Sequence, residues 1–105
     1  MAAPKSLESR TFMATRWRRR RMCVLIADAP APAALREVSA GGAFVETNAR
    51  PPLGASVELR HPDAGSILGE VRSLAEDGVG IRFTFGERSV AFALAAIAAD
   101  MSRPG

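Results

Sequence analysis

The clearest strand in this sequence is the stretch GVGIRFTF at residues 78–85. Its large apolar residues, Val79, Ile81, Phe83 and Phe85, fall on one face of an extended chain, and the residues between them are glycine or polar. A period of two is typical of a strand with one face in a hydrophobic core. We therefore predict that this strand lines the core of a β-rich domain.

Five further strands are predicted upstream, at residues 22–28, 33–38, 43–47, 56–61 and 66–75. Each is a short run of β-branched or alternating apolar residues between turn-forming residues. The segment APAP at 29–32 should end the first strand because proline cannot donate to a ladder. SAGG at 39–42 should form a hairpin turn with positive φ at its glycines, and Gly69 should mark a bulge or bend.

The pattern changes to a helical one at residues 87–101, where Val90, Leu94, Ile97 and Met101 recur at 3.6-residue spacing and Ser89 is a candidate cap. Six short strands followed by one helix favour a mainly β fold, a small six-stranded antiparallel (split) β-barrel with a C-terminal α-helix. The helix is expected to cover an open end or seam of the barrel.

A chain of 105 residues has room for one domain. We place a flexible basic N-terminal arm at residues 1–15 and the barrel domain at 16–105, since the first 15 residues show no hydrophobic periodicity. No segment is apolar for long enough to span a bilayer or act as a signal sequence. The sequence therefore predicts a cytoplasmic protein without membrane insertion.

The positive charge is concentrated at the N-terminus. Residues 1–21 contain seven basic side chains and one acidic one, whereas residues 22–105 contain seven basic and ten acidic ones. A general nucleic-acid-binding protein usually spreads its basic residues over a face of the fold, and an acidic body repels a long polyanion. The distribution favours either a small anionic ligand or a basic arm.

Catalytic and metal chemistry have few candidates. Cys23 is the only cysteine and His61 the only histidine, so one chain can form neither a disulfide nor a four-ligand zinc site. Cys23 lies in an apolar run and is expected to be buried. No acid–base pair forms a recognisable constellation, so we predict that the protein is not an enzyme and has no cofactor.

Three patterns follow one another along the chain: Arg16-x-x-x-Arg20, the segment EVSAGG at residues 37–42, and GVGIRF at residues 78–83. Their order and spacing resemble the PilZ domain family, bacterial receptors for the second messenger cyclic di-GMP. The resemblance covers roughly residues 16–101. It implies a six-stranded barrel with a C-terminal helix, in agreement with the architecture predicted from the periodicity.

The resemblance also implies a binding site for cyclic di-GMP. The family's R-x-x-x-R motif corresponds to Arg16 and Arg20, and the serine and glycine of its D/N-x-S-x-x-G motif correspond to Ser39 and Gly42. Glu37 stands where the family has Asp or Asn. Electrostatic support is expected from Arg18, Arg19 and Arg21.

The residue types suit this ligand. Guanine presents O6 and N7 on one edge, which the planar guanidinium fork matches, and the same fork binds phosphate oxygens. An acid at position 37 can accept from the guanine N1–H and N2–H₂ edge. Glu37 is one methylene longer than aspartate, and a misplaced charge-assisted hydrogen bond weakens affinity by about ten- to a hundredfold.

The favoured hypothesis is a single-domain cyclic di-GMP receptor that orders its arginine-rich segment over the barrel and signals to a protein effector, in motility, biofilm or exopolysaccharide control as the resemblance implies. Two alternatives stay open. One is a PilZ-like adaptor that binds nucleotide weakly or not at all, as Glu37 suggests. The other is a small nucleic-acid-binding barrel that uses its basic arm.

Overall fold

The computed structural model describes residues 21–101. Six strands precede one helix, and the predicted fold class is confirmed. The strands close into an antiparallel barrel in the order β1-β2-β3-β6-β5-β4. The elements are β1 (Arg21–Ile26), β2 (Pro30–Ser39), β3 (Gly42–Glu46), β4 (Ser56–His61), β5 (Gly65–Ala75), β6 (Gly78–Phe83) and α1 (Glu87–Met101).

The barrel interior is filled by the alternate residues of each strand. Leu25, Val45, Leu59, Val79 and Ile81 are almost completely buried. Cys23 lies in the same cluster, and burial raises the pKa of its thiol to about 11. The period-two pattern in the sequence therefore predicted the core correctly. Phe85 is an exception, because β6 ends at Phe83 and the Phe85 side chain is exposed.

Helix α1 closes the domain through its smaller side chains. Phe92, Ala93 and Ala96 are buried, and the Phe92 ring meets the Phe83 ring edge-on with centroids 5.6 Å apart. Small alanines allow the helix to approach the barrel closely. The helically spaced stripe noted in the sequence lies on another, exposed face, about 120° around the helix. Its members are Val90, Leu94, Ile97 and Met101.

Ser89 caps the helix from inside its first turn. The helix begins at Glu87, so Gly86 occupies the N-cap position. The Ser89 hydroxyl accepts a hydrogen bond from the Gly86 N–H at 2.9 Å and is 3.0 Å from the Gly86 carbonyl, to which it can donate. This is the reaching-back half of a capping box, with serine in place of the usual Glu or Gln.

The proline segment follows the end of β1, as predicted, but it also belongs to the next strand, which was predicted to begin only at residue 33. Strand β2 begins at Pro30 and pairs both prolines with β1, as Pro30↔Ile26 and Pro32↔Val24. Pairing of β2 with β3 starts only at Ala34. Over its first four residues β2 therefore has a ladder partner on one side alone, where a missing N–H is tolerated.

The bulge in β5 lies at a different residue from the one predicted. Gly69 pairs regularly with Val57 and Phe83. The register shifts instead between Val71 and Ser73, which leaves Arg72 as the extra residue. Gly69 is needed for space, because a Cβ there would lie 2.7 Å from the Arg82 carbonyl oxygen.

His61 is expected to make the fold less stable in mild acid. Its ring is buried, and Nδ1 accepts hydrogen bonds from the backbone N–H groups of Asp63 and Ala64, both at 3.0 Å. Burial lowers the His61 pKa below its ordinary 6.5, with Asp63 and Asp100 opposing the shift and Arg21 adding to it. The unfolded chain thus binds the proton more readily than the folded one.

We expect the free energy of unfolding to be constant between about pH 7 and pH 8, below the range in which the Cys23 thiol titrates in the unfolded chain. It should fall from about pH 6.5 downwards, until the folded-state pKa is passed, by at most about 1.4 kcal/mol per pH unit. Urea unfolding at several pH values measures this slope. His61→Asn keeps a side-chain acceptor but cannot titrate, so its slope in this range should be smaller; an equal slope would assign the effect to other groups.

Candidate functional site

An open pocket of about 400 Å³ lies on the outer surface of the barrel, at the β2–β3 hairpin and the neighbouring parts of β5 and β6. Its size is within the range of small-molecule sites, about 300–1,000 Å³. The lining residues are Glu37, Val38, Ser39, Gly41, Gly42, Ala43, Phe44, Arg72, Ser73, Gly80 and Ile81. The pocket therefore brings together Glu37, Ser39 and Gly42, the three predicted site residues downstream of the arginines.

The hairpin fixes the position of the Ser39 hydroxyl. Ser39 pairs with Gly42 across a two-residue turn, and its Oγ accepts a hydrogen bond from the Gly41 N–H at 3.2 Å. The Gly41 carbonyl in turn accepts from the Phe83 N–H at 2.9 Å, which ties the turn to β6. A hydroxyl that accepts one bond still has its own proton to donate to a ligand.

Gly42 is required for close approach and not for a special backbone conformation. Among the described residues only Gly54 and Gly65 have positive φ, so the predicted positive φ at the hairpin glycines is wrong. A Cβ on Gly42 would collide with the backbone carbonyl oxygen of Ile81. The absence of a side chain thus lets β3 and β6 come together beside the pocket.

Glu37 reaches the pocket because β2 has a bulge just before it. The register shifts between Leu35 and Glu37, so that Arg36 is the extra residue and Glu37 pairs with Phe44. Glu37 and Ser39 are two residues apart on one strand and therefore lie on the same face. An acceptor and a hydroxyl donor are thus placed side by side.

The arginine in the β2 bulge holds the wall of the pocket. The Arg36 guanidinium lies over the Phe44 ring, 4.1 Å from its centroid. Its Nη1 also donates to Asp77 at 2.9 Å and to Glu46 at 3.0 Å. The hydrogen bond from Arg36 lowers the pKa of Asp77. Arg36 is therefore engaged by protein groups, and its role is to fix Phe44.

The arginine in the β5 bulge has no such partner in the part of the chain that the structure describes. Arg72 lines the pocket, and within residues 21–101 its guanidinium makes neither an ion pair nor a hydrogen bond. Bulges often redirect a side chain next to a binding site. Sequence reasoning missed Arg72 because it follows Val71 in what looks like an ordinary strand. Its position depends on the register with β6, which one strand alone does not reveal.

The predicted arginines are placed only in part. Arg16, Arg18, Arg19 and Arg20 lie outside the described residues. Arg21 forms an ion pair with Asp63 at 3.2 Å and donates to the Ala99 carbonyl at 3.4 Å. It belongs to the end of the barrel covered by α1 and does not line the pocket, so its supporting role remains a prediction.

The arrangement can bind a small polar ligand that carries both anionic and hydrogen-bond-donor groups. Arg72 supplies a cation, the Ser39 hydroxyl a donor and the Glu37 carboxylate an acceptor, with the Phe44 ring as an apolar wall. Within residues 21–101 no three or more His, Cys, Asp or Glu side chains are grouped to hold a metal. The same part of the chain contains no helix long and apolar enough to cross a membrane.

The structure thus combines a closed six-stranded barrel with a polar pocket at the β2–β3 hairpin. The family model for the PilZ domain matches residues 15–97. The chain belongs to the PilZ domain family, a family of cyclic di-GMP receptors. Searches among curated proteins and among solved structures found no match.

Proposed function

We propose that this protein is a cyclic di-GMP receptor without catalytic activity that binds its ligand between the arginine-rich segment and the β2–β3 pocket and signals to a protein partner. The observation that carries the proposal is the pocket itself. Ser39 and Gly42, which match the family's motif, and Glu37, which stands where that motif has Asp or Asn, line one cavity together with Arg72. Among residues 21–101 the Arg72 guanidinium has neither an ion-pair nor a hydrogen-bond partner.

The position of β1 supports a contribution from Arg16 and Arg20. Strand β1 starts at Arg21, and Arg21 pairs with Leu35, two residues before Glu37. Because an extended chain covers about 3.4 Å per residue, Arg16 can be at most about 17 Å from Arg21. Both arginines can therefore reach the pocket mouth. Arg16 needs the length of the intervening chain, whereas for Arg20 the length of its own side chain is enough.

Each group has a chemical counterpart in cyclic di-GMP. The Arg16 and Arg20 guanidinium groups match the O6 and N7 edge of guanine or the phosphates. Glu37 accepts from the guanine N1–H and N2–H₂ groups, and the Ser39 hydroxyl donates to a phosphate oxygen. Ligand binding then fixes the segment before β1 over the barrel, and the surface formed in this way is read by the partner.

Calorimetric titration with cyclic di-GMP tests the proposal. Wild type should bind. Ser39→Ala should bind roughly tenfold more weakly, because it loses one hydrogen bond to a charged group. Arg16→Ala and Arg20→Ala should lose more affinity than Ser39→Ala. Arg60→Ala is a matched control, because Arg60 lies on β4 outside the pocket and its guanidinium is paired with Glu58 at 3.0 Å. No binding by wild type at high micromolar ligand would refute the proposal.

Glu37→Asp is expected to tighten binding by about ten- to a hundredfold if the longer carboxylate crowds the guanine. The shorter side chain restores the acid found in the family motif at the same place on β2. The same titration measures the gain. Glu58→Asp, on β4 outside the pocket, controls for shortening an acid elsewhere. Unchanged affinity in Glu37→Asp would show that Glu37 is accommodated as it stands.

A further inference from the structure

The outward face of α1 is apolar along its whole length. Val90, Leu94, Ile97 and Met101 are 37%, 63%, 40% and 77% exposed. No charged residue occurs between Val90 and Ala99. Another face of the same helix, about 120° away, is already buried on the barrel. A helix that is apolar on both sides is normally covered on both sides.

We infer that this face is the contact surface of a homodimer, in which α1 packs antiparallel against α1 of a second copy. The exposed apolar residues are spaced four, three and four apart. This is the spacing of successive core positions in a coiled coil, where each side chain enters a gap on the facing helix.

The spacing is also symmetric about its own midpoint, between Leu94 and Ile97. A twofold axis through this midpoint sets Leu94 of one copy against Ile97 of the other, and Val90 against Met101. Such a face is complementary to itself, which is the requirement of a twofold interface. An unrelated partner helix would gain nothing from this symmetry, and a second copy satisfies it without any further change.

The side chains next to the stripe fit the same arrangement. Ala91 and Ala98 are small, so two helices can approach closely. The charged residues are confined to the ends, with Glu87 and Arg88 in the first turn and Asp100 in the last. Antiparallel packing brings Asp100 towards the first turn of the facing helix, where the charges of Glu87 and Arg88 offset each other and the helix dipole attracts a negative charge.

The size of the helix face determines how strongly the dimer is expected to associate. A helix of 15 residues is about 22 Å long, and one face of it offers less than the roughly 800 Å² per partner of a standard interface. The dimer should therefore dissociate in the micromolar range. It is independent of the proposed function, because the helix face lies outside the β2–β3 pocket.

Sedimentation velocity from about 5 to 500 μM tests the association. Wild type should pass from monomer to dimer, and Leu94→Glu should remain a monomer throughout. Leu68→Glu is the matched control, since Leu68 is a similarly exposed leucine on β5, 72% exposed, and it should dimerise as wild type does. A wild type that is monomeric at 500 μM, or a Leu94→Glu variant that still dimerises, would overturn the inference.

Disulfide trapping tests the orientation. Met101→Cys mixed with Val90→Cys should give a covalent heterodimer under mild oxidation, because the two positions face each other. Val90→Cys alone should not, because its two copies are about 16 Å apart along the axis. The native Cys23 is buried and its pKa is raised to about 11, so wild type is a silent control.

Covalent Val90→Cys homodimers without the mixed species would overturn the antiparallel arrangement. A monomeric wild type that loses thermal stability in Leu94→Glu would show that residues 1–20 of the same chain cover the face. That result would also overturn the homodimer. Binding of the monomer to a different protein through this face would also overturn the homodimer.

Discussion

Gly42→Ala is expected to destabilise the barrel by about 1–3 kcal/mol, the usual cost of inserting an atom into a filled space. The added methyl collides with the Ile81 carbonyl oxygen, which is backbone and can move only if β6 moves with it. For a domain of this size the midpoint of thermal unfolding should fall by roughly 4–8 °C per kcal/mol. Circular dichroism on heating measures the change.

Gly41→Ala is the matched control for Gly42→Ala. The two glycines are adjacent in the same turn, and neither has positive φ. A Cβ on Gly41 would lie 3.8 Å from the Ser39 Oγ, an ordinary contact. Gly41→Ala should therefore unfold within about 0.5 kcal/mol of wild type. Equal destabilisation by both changes would mean that backbone freedom in the turn, and not the approach of β3 to β6, is what matters.

Arg72→Ala is expected to weaken cyclic di-GMP binding by about ten- to a hundredfold, the value of one charge-assisted hydrogen bond in a partly open site. The expectation rests on the proposed function. Arg72 lines the pocket and is not engaged by another group in the described residues, so removing it costs the ligand a cation without disturbing a protein contact. Calorimetry against wild type measures the loss.

Two further variants separate the contact from general attraction. Arg72→Lys retains the charge but not the planar fork, so it should recover only part of the affinity. Arg60→Ala removes one charge from the other side of the barrel and should leave affinity nearly unchanged at physiological salt. If Arg72→Ala binds as tightly as wild type, the ligand does not contact β5, while binding by wild type would still support the receptor function.

The strands and the helix could be predicted because their causes are local. The alternation in Val79, Ile81 and Phe83 belongs to one strand, and it is the same alternation that fills the barrel. The bounds of β4 and α1 agree with the predicted ones for the same reason. Turn residues and periodicity are properties of neighbouring residues, so a single sequence contains them.

The features that were missed depend on contacts between strands. The two bulges place Arg36 and Arg72, and both arise from the register with a neighbouring strand. The reason for Gly42 lies in the Ile81 carbonyl across the sheet. The sequence also could not show which apolar side of α1 packs on the barrel. Helical spacing identifies both sides, but only the shape of the barrel surface determines that Phe92 and the alanines fit it better than Leu94 does.

The candidate site was predicted as a motif and not as a surface. Ser39 and Gly42 were predicted because they are close together in the chain and match a family pattern, and Glu37 because it stands where that pattern has Asp or Asn. Arg72, Ser73 and Gly80 come to the same pocket from β5 and β6, and no pattern in their own neighbourhood indicates a ligand. The sequence thus predicts the half of the site that one hairpin supplies.

The prolines at the start of β2 bear on how another protein can attach to the barrel. Closure removes most free strand edges, and the stretch of β2 before Ala34 is left open on the side towards β3. Pro30 and Pro32 stand in that stretch, and the Thr47 hydroxyl occupies the Pro32 carbonyl at 2.8 Å. An incoming peptide would find too few backbone donors there to add itself as a seventh strand. This edge of β2 is therefore a poor place for strand addition, and the same two prolines protect it from edge-to-edge aggregation.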